Sequence, residues 1–461
     1  MALVDADAGK ELAYSELDER CELTARTLSA RGVKKGDRVA VLTSKPAEMV
    51  ATFFATRRLG ASLVPLNYLL MKDDVSGQIR RVSPRLVIDD FYDLGEKSGV
   101  LTEGGEPAPG VPQTPPATAS MDEEALVLFT GGSTGVPKGA MIHEGSVVWN
   151  AINSVLSWGL TSEDVSYVPF PFYHIGAWGI YVIPVLFAGG KVVVTSKFDA
   201  ERAIDDMRRY QVTRFLGVPT MLYKIAATPS FDRVDLSRVD FGCGGGALGR
   251  EVARRYISKG YRVWQGYGAT ETGPNNFAVS PEQYKKKMHS VGKPMLLVDA
   301  KLAQDGELLI RGPHTFRGYL PGEDAAKAFD ESGYFHTGDV FSVDSDGDFA
   351  FVGRTKDMIK TGGENVYAAE VEQELNGLPG IYESAVIGAP DAKWGEVVVA
   401  YVVPDGKGTP LGEDGVRGAL KGSLPSYKVP KKVIFVKELP RSAVGKIQKQ
   451  VLRERYAKGV D

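Results

Sequence analysis

The sequence has only two cysteines, Cys21 and Cys243, among its 461 residues. Two cysteines cannot form a framework of disulfides, so the fold must depend on its hydrophobic core, and a reducing compartment is expected. No apolar run approaches the ~18 residues that a membrane-spanning helix needs, and the first residues are acidic where a signal peptide carries Lys or Arg. These absences predict a cytoplasmic protein with no membrane span.

An excess of either charge is also missing, since 55 Lys and Arg stand against 58 Asp and Glu. Nucleic acid binding usually requires a basic surplus, so no nucleic acid partner is expected. Glycine is in excess, with 53 residues where a usual share of about 7% would give about 32. Glycine lets the backbone approach a ligand closely, and much of the excess falls in segments 131–139, 242–249, 266–273 and 353–363.

Strand and helix patterns alternate along the N-terminal three quarters of the chain. The apolar run 38–43 predicts a buried strand, a helix begins near Pro46, and 63–66 predicts the next strand. Such alternation is typical of α/β folds, in which helices cover a largely parallel sheet. Beyond this part the pattern becomes that of a compact α+β unit. We therefore predict a large α/β N-terminal domain of residues 1–355, with a subdomain boundary in the proline-rich segment 96–124, and a small α+β C-terminal domain of residues 356–461.

The segment Leu-Phe-Thr-Gly-Gly-Ser-Thr-Gly-Val-Pro-Lys-Gly-Ala-Met-Ile, residues 128–142, carries the strongest chemical signal. Backbone N–H groups of such a glycine-rich loop can surround phosphate oxygens, while the lysine adds a positive charge. It is not a Walker A loop, because Val136 and Pro137 separate the last glycine from the lysine and a strand is predicted to follow. The loop predicts a polyphosphate site made by Thr130, Gly131, Gly132, Ser133, Thr134, Gly135 and Lys138.

Two other segments imitate sites of different chemistry. Cys243 lies in a glycine cluster, but no histidine partner can be placed beside it, so we predict a buried structural thiol. The run Asp-Ser-Asp-Gly-Asp at 344–348 imitates a calcium loop. Thr355 stands where such a loop needs a bidentate glutamate, so a hairpin turn is predicted instead.

Five segments together resemble motifs of the adenylate-forming superfamily, which contains acyl-CoA synthetases, the adenylation domains of peptide synthetases and firefly luciferase. The phosphate loop is the first of them. Four more follow in order: 267–271 resembles the segment that stacks adenine and binds magnesium, 334–339 the ribose-binding segment, 353–360 the interdomain hinge and 440–446 the catalytic lysine loop. Because all five occur between residues 128 and 446, the chain is identified as a member of this superfamily, in its acyl-CoA synthetase branch.

The resemblance implies ATP, Mg²⁺ and CoA as ligands and a role for each matching residue. Lys446 would bridge the substrate carboxylate and the α-phosphate. Glu271, next to Thr270, would hold Mg²⁺ together with Thr134. The other ATP or AMP contacts, among them a carboxylate that accepts the ribose hydroxyls, would come from Gly245, Gly246, Ala247, Gly266, Tyr267, Gly268, Asp339 and Arg354.

The resemblance also implies how CoA would reach the adenylate. The C-terminal domain would rotate about a hinge at Lys356 after the first half-reaction. Lys360, Gly362 and Gly363 would then line a tunnel for the pantetheine arm. The resemblance leaves a homodimer open.

The residues that surround the acyl group are expected to determine which acid reacts. His174 stands where relatives that activate amino acids place an aspartate for the substrate ammonium, and an imidazole cannot make that pair. With Phe172, Tyr173, Trp178 and Gly244 as the expected pocket, this predicts a carboxylic acid with an apolar body: fatty, aryl or bulky polycyclic. His174 itself would help to position the carboxylate.

Two departures from the family pattern carry expectations of their own. The usual Thr-Ser-Gly of the phosphate loop is Thr130-Gly131 here, which removes a hydroxyl and predicts slower adenylation. The usual Gly-Gly-Ala-Pro-Leu is Gly-Gly-Gly-Ala-Leu at 244–248, which predicts a roomier acyl pocket.

The function that the resemblance implies is an ATP-dependent, AMP-forming carboxylic acid:CoA ligase. One alternative within the fold is a specialist for one half-reaction, which converts a preformed acyl adenylate or delivers the acyl group to a carrier protein. A second alternative is a non-catalytic nucleotide-binding protein.

Overall fold

The computed structural model of the protein describes residues 1–97, 120–131, 137–320, 328–406, 411–441 and 447–460. Most of the predicted subdomain boundary at 96–124 lies outside these ranges. The predicted site residues that also lie outside them are Gly132, Ser133, Thr134, Gly135 and Lys446.

A five-stranded sheet carries the predicted phosphate loop. Its strands run parallel except for the last pair, which forms an antiparallel hairpin around the loop. The helix Pro46–Leu59 begins with proline at its first position and ends at Gly60, whose φ of 64° suits glycine. In spatial order the strands are Leu86–Asp89, Arg38–Leu42, Ser62–Pro65, Glu124–Thr130 and Lys138–His143.

A nine-stranded sheet brings two further motifs to one edge. Its central strands are parallel and its outer pairs antiparallel. The motifs at 244–248 and 267–271 follow the carboxyl ends of two neighbouring parallel strands, where ligands of α/β sheets bind. In spatial order the strands are Lys293–Pro294, Phe277–Ala278, Arg262–Tyr267, Asp240–Cys243, Arg214–Gly217, Val165–Val168, Lys191–Val194, Leu3–Asp5 and Lys10–Leu12.

A third, antiparallel sheet bears the predicted ribose motif. Its strands are Asp299–Leu302, Glu307–Arg311, Phe335–Val343 and Phe349–Arg354. The predicted hairpin turn joins the last two strands, which confirms that prediction. Lys287 Nζ donates to one carboxylate oxygen of each of Asp344, Asp346 and Asp348, at 2.6, 2.6 and 2.7 Å. We call residues 344–348 the aspartate turn.

The C-terminal part has its own sheet and its own buried clusters. Helices Ala368–Leu375 and Glu413–Leu420 contribute to one cluster, and helix Lys449–Lys458 contributes Leu452 to another. The largest buried cluster of the N-terminal part reaches no further than Phe335. The C-terminal strands are Glu364–Tyr367, Met358–Thr361, Gly395–Pro404 and Ile381–Asp391, with Lys432–Phe435 pairing with Gly395–Pro404.

This architecture confirms the predicted fold class, a large α/β part followed by a small α+β part. The 3₁₀ turn Thr355–Asp357 joins the two, and a domain boundary between residues 355 and 356 stays a prediction. None of the helices in the described ranges combines the length and the apolar character that crossing a bilayer demands. The other helices are Tyr14–Ala30, Lys72–Val82, Glu144–Trp158, the π-helix Ala177–Val182, Ile183–Phe187, Ala200–Arg209, Pro219–Ala227, Pro229–Arg233, Arg250–Ser258 and Pro281–Lys286.

Candidate active site

The buried carboxylate of Asp339 contacts two other residues predicted for the nucleotide. Asp339 is 7% exposed. Its Oδ2 accepts a hydrogen bond from the Tyr267 hydroxyl at 2.7 Å, and its Oδ1 accepts one from Arg354 Nε at 3.0 Å. Asp339 and Arg354 face each other on paired antiparallel strands. Burial raises the pKa of Tyr267, so its phenol keeps the proton that it donates.

A residue that sequence reasoning missed helps to orient this carboxylate. The hydroxyl of Thr337 accepts a hydrogen bond from the Asp339 backbone N–H at 3.1 Å and donates to the carbonyl of Leu308 at 2.7 Å. Thr337 lies inside the predicted ribose motif, two residues before the carboxylate. A threonine at this spacing is the signal that could have indicated the contact.

A second cluster joins the phosphate loop to the predicted magnesium ligand. Glu271 Oε1 accepts a hydrogen bond from the Tyr319 hydroxyl at 2.9 Å. Lys138 Nζ lies 5.2 Å from the centre of the same tyrosine ring. Burial, together with the neighbouring Glu271, raises the pKa of Tyr319, so the phenol remains a donor. Sequence reasoning missed Tyr319, because nothing distinguishes it among 19 tyrosines.

The structure describes the residues at the two ends of the phosphate loop, although most of the loop lies outside the described residues. Thr130 and Lys138 pair across the hairpin, which confirms that a strand follows the loop. Gly131 is exposed, and a Cβ there would meet no atom of the described residues within 4 Å. Nothing in the described parts of the chain therefore obstructs a serine at this position.

Packing within the chain requires glycine on both sides of Tyr267. A Cβ on Gly268 would lie 2.0 Å from the carbonyl oxygen of Pro274, and one on Gly266 would lie 2.9 Å from that of Phe277. Both distances are far below van der Waals contact. The fold itself thus requires glycine here, whether or not the nucleotide approaches the same backbone.

The predicted adenine-side cluster forms a loop after the strand Asp240–Cys243. Gly245, Gly246 and Ala247 are exposed, and Gly245 has a φ of 72°. Gly244 packs beside Leu216, whose Cδ2 would lie 3.4 Å from an added Cβ. Cys243 is 0% exposed and burial raises the pKa of its thiol, which confirms the prediction of a buried structural cysteine.

Aromatic side chains pack around His174, which is partly buried. The Tyr173 ring lies 4.8 Å from the imidazole and 5.5 Å from the ring of Tyr68. The rings of Phe172 and Trp178 meet edge to face at 4.7 Å, and Trp178 Nε1 donates to the Phe172 carbonyl at 2.7 Å. Trp178 also lines a cavity.

This cavity lies between the segment that follows His174 and the segment that contains Glu271. Of the predicted site residues, Trp178 and Thr270 line it, whereas Phe172, Tyr173 and Gly244 do not. Its apolar wall comes from Leu126, Ile142, Val147, Ile175, Trp178, Ile183 and Pro274, and its other lining residues are Ser146, Asn150, Gly179, Thr270, Gly273 and His314.

The residues predicted for CoA lie on the C-terminal sheet and its approach. Lys356 is exposed in the 3₁₀ turn, and Lys360 donates its backbone N–H to Glu396 at 2.8 Å. Gly362 and Gly363 form a tight turn with φ of 60° and 87°. Within the described parts of the chain, no hydrogen bond or ion pair joins these four residues to the Asp339 or Glu271 clusters.

Comparison with known proteins identifies one family along the chain. The profile of the AMP-binding enzyme family matches residues 1–320, and that of the AMP-binding enzyme C-terminal domain matches residues 370–446. A feruloyl-CoA synthase from an Amycolatopsis species is 37% identical over 466 residues, covering 97% of this chain and 94% of the relative. An indoleacetate–CoA ligase from Aromatoleum aromaticum is 35% identical over 485 residues, with the same coverage.

Solved structures share the fold. ATP-bound MatB from Rhodopseudomonas palustris superposes with a TM-score of 0.88 and 32% identity, over 100% of this chain and 96% of that chain. The O-succinylbenzoate coenzyme A synthetase MenE from Bacillus subtilis, solved with ATP and a magnesium ion, gives 0.87 and 28%, over 98% and 96%. The predicted ligands ATP, Mg²⁺ and CoA are those of this family. The chain belongs to the AMP-binding enzyme family, in the acyl-CoA synthetase branch of the adenylate-forming superfamily, and is an AMP-forming acid–thiol ligase.

Proposed function

We propose that the protein joins an aromatic carboxylic acid to CoA through an acyl adenylate. The observation that supports this substrate class is the lining of a cavity of about 20 Å³, formed by Trp178 and aliphatic side chains next to Thr270 and the Glu271 segment. An aromatic acid would have to widen this cavity. The two relatives described above act, by name, on feruloyl and indoleacetate substrates, both of which are aromatic acids.

The chemistry consists of two displacements. A carboxylate oxygen of the acid attacks the α-phosphorus of ATP, and the bond to pyrophosphate breaks. The CoA thiolate then attacks the acyl carbon, and the bond to AMP breaks. Both partners of the first step are anionic, so cations and aligned donors must lower its barrier.

The residues around Asp339 fit the sugar of the nucleotide. The carboxylate is held from both sides by Tyr267 and Arg354, and each of its oxygens can accept more than one hydrogen bond. We assign Asp339 to the ribose hydroxyls. We assign Gly245, Gly246 and Ala247 to the adenine side of the nucleotide.

Glu271 fits a magnesium ion, because Mg²⁺ prefers carboxylate oxygens and Tyr319 already fixes one oxygen of this carboxylate. When bound, the ion would neutralise phosphate charge. Lys138, whose Nζ lies 5.2 Å from the centre of the Tyr319 ring, is assigned to the phosphates. Thr134 as a second magnesium ligand and Lys446 as the cation of the transition state stay predictions.

Assays of the two half-reactions test this function. The protein should catalyse acid-dependent exchange between ATP and pyrophosphate, and mass spectrometry should detect the acyl-CoA after CoA is added. Fatty and polycyclic acids serve as the competing substrate classes. A specialist for thioester formation would show no exchange but would convert an added acyl adenylate.

A Lys446→Ala variant tests the assignment of the transition-state cation. It should lose most of the exchange activity and keep most of the conversion of preformed adenylate to thioester. Lys437→Ala, at an exposed lysine nine residues earlier in the chain, is the matched control and should affect neither. Equal loss of both half-reactions in Lys446→Ala would contradict the assignment.

Location in the cytoplasm and assembly as a homodimer also stay predictions. Sedimentation of the protein would test the homodimer.

A further inference from the structure

We propose that Asn150 selects carboxylic acids whose aromatic body carries a hydrogen-bond donor, such as a phenolic hydroxyl or an indole N–H. The inference rests on the proposed function, because it defines the substrate class of the same cavity more narrowly.

One atom of Asn150 lacks the partner that a buried polar atom needs. Asn150 lies on the helix Glu144–Trp158, lines the cavity and is 4% exposed. Its Nδ2 donates to the carbonyl of Gly179 at 2.7 Å, which fixes the orientation of the amide because only the NH₂ group can donate. Its Oδ1 has no hydrogen-bond partner within the described ranges.

This oxygen lies beside another residue of the cavity wall. A Cβ on Gly273 would come 3.3 Å from Asn150 Oδ1, so the absence of a side chain at Gly273 leaves room next to the oxygen. Gly273 has a φ of 70°, a conformation that favours glycine. A ligand that widens the cavity at Gly273 therefore meets a hydrogen-bond acceptor.

Two other polar side chains of the wall have hydrogen-bond partners. The Ser146 hydroxyl donates to a backbone carbonyl at 2.7 Å. His314 Nε2 lies 3.0 Å from Asn276 Oδ1. The imidazole approaches Gly273 with Cδ2, while its unpaired Nδ1 is close to Gly312 on the opposite side of the ring. The backbone carbonyl oxygen of His314 would also lie 3.3 Å from a Cβ on Gly273. Of the two acceptors at the Gly273 wall, Asn150 Oδ1 is the side-chain atom without a partner in the described ranges.

The chemistry of an unpaired acceptor defines what the substrate must carry. A water molecule can donate to a buried amide oxygen when no substrate is bound. A substrate that displaces this water must donate in its place, or the oxygen loses its hydrogen bond. The ionised carboxylate of the substrate can only accept, so the donor must lie on the acid's body. Simple fatty acids have no such donor.

Pairs of acids that differ in one donor test the proposal. The pairs are 4-hydroxycinnamate with 4-methylcinnamate, and indole-3-acetate with benzothiophene-3-acetate. In at least one pair, the wild type should favour the acid that carries the hydrogen-bond donor by about tenfold or more in kcat/KM for acyl-CoA formation. Asn150→Leu should reduce that preference to within about twofold. Each preference compares two acids on one preparation, so it does not depend on the fraction of folded enzyme.

Asn153→Leu is the matched control, because Asn153 lies on the same helix, is 0% exposed and has partners for its amide. It should keep the wild-type preference even if its stability falls. Should Asn150→Leu be insoluble, Asn150→Ala replaces it with the same expectation. Equal rates for both acids of each pair in the wild type, or an undiminished preference in the Asn150 variants, would overturn the proposal. Absence of thioester from every acid would instead contradict the proposed function.

Discussion

The Asp339→Asn substitution should weaken ATP binding, because the ribose hydroxyls assigned to Asp339 would meet an amide instead of a carboxylate. The carboxylate accepts hydrogen bonds from Tyr267 and Arg354, whereas an amide would direct its NH₂ group at one of these donors. An amide turned in this way presents its NH₂ group to a ribose hydroxyl too, and a hydrogen bond to a charged group contributes about 1.5–3 kcal/mol. Arg354 is 46% exposed, so its ion pair adds only about 0–1 kcal/mol.

The expected loss of about 1.5–4 kcal/mol corresponds to roughly 10- to 1,000-fold. Acid-dependent ATP–pyrophosphate exchange, measured over a range of ATP concentrations, should report it as a rise in the apparent KM for ATP. Tyr267→Phe removes one contact and should show a smaller rise. Asp205→Asn, at an exposed position on a helix, should show none. A folded Asp339→Asn variant whose KM for ATP stays within about twofold of the wild type would refute the reasoning.

Three further substitutions test other contacts. Tyr319→Phe keeps the ring but removes the hydroxyl that holds Glu271, so the Mg²⁺ concentration for half-maximal exchange should rise by about tenfold; an unchanged metal requirement would contradict this. Gly268→Ala would place a Cβ 2.0 Å from the carbonyl oxygen of Pro274 and should lower the free energy of unfolding by about 3 kcal/mol or more, so a wild-type denaturation curve would be inconsistent with the packing. Lys287→Met should lower the thermal midpoint at pH 7, because Lys287 lowers the pKa of the first carboxyl of the aspartate turn to about 2. The stability that this pairing supplies is present above the unfolded pKa of about 4 and is lost as pH falls towards 2, so the difference between variant and wild type should shrink over that window.

Sequence patterns predicted the parts of the site that are carried by local motifs. Asp339 and Arg354 are 15 residues apart and meet because their strands pair directly. Tyr319 could not be predicted in this way. It reaches Glu271, 48 residues away, because a β-bridge joins Tyr319 to Ala140 after the phosphate loop. The pairing of distant strands determines this contact, and no local pattern encodes it.

Strand bounds show the same limit in the C-terminal part. The apolar run 385–388 predicts only the centre of the strand Ile381–Asp391. Antiparallel pairing with Gly395–Pro404 extends the strand at both ends, since backbone hydrogen bonds continue where the side chains are no longer buried. The π-helix Ala177–Val182 was not predicted either. The carbonyl of Gly179 within it accepts from Asn150 and Asn275, which lie far from it in sequence, and no local pattern encodes these contacts.

The aspartate turn determines how a chelation experiment on this protein can be interpreted. Among the described residues, the aspartate turn is the one group of three side chains close enough together to hold a metal ion. An acidic turn of this kind often depends on calcium. Here the ammonium of Lys287, a covalent part of the chain, already supplies the positive charge. Removing divalent ions should therefore leave the turn folded, and a loss of activity in a chelator will report the metal requirement of catalysis rather than unfolding.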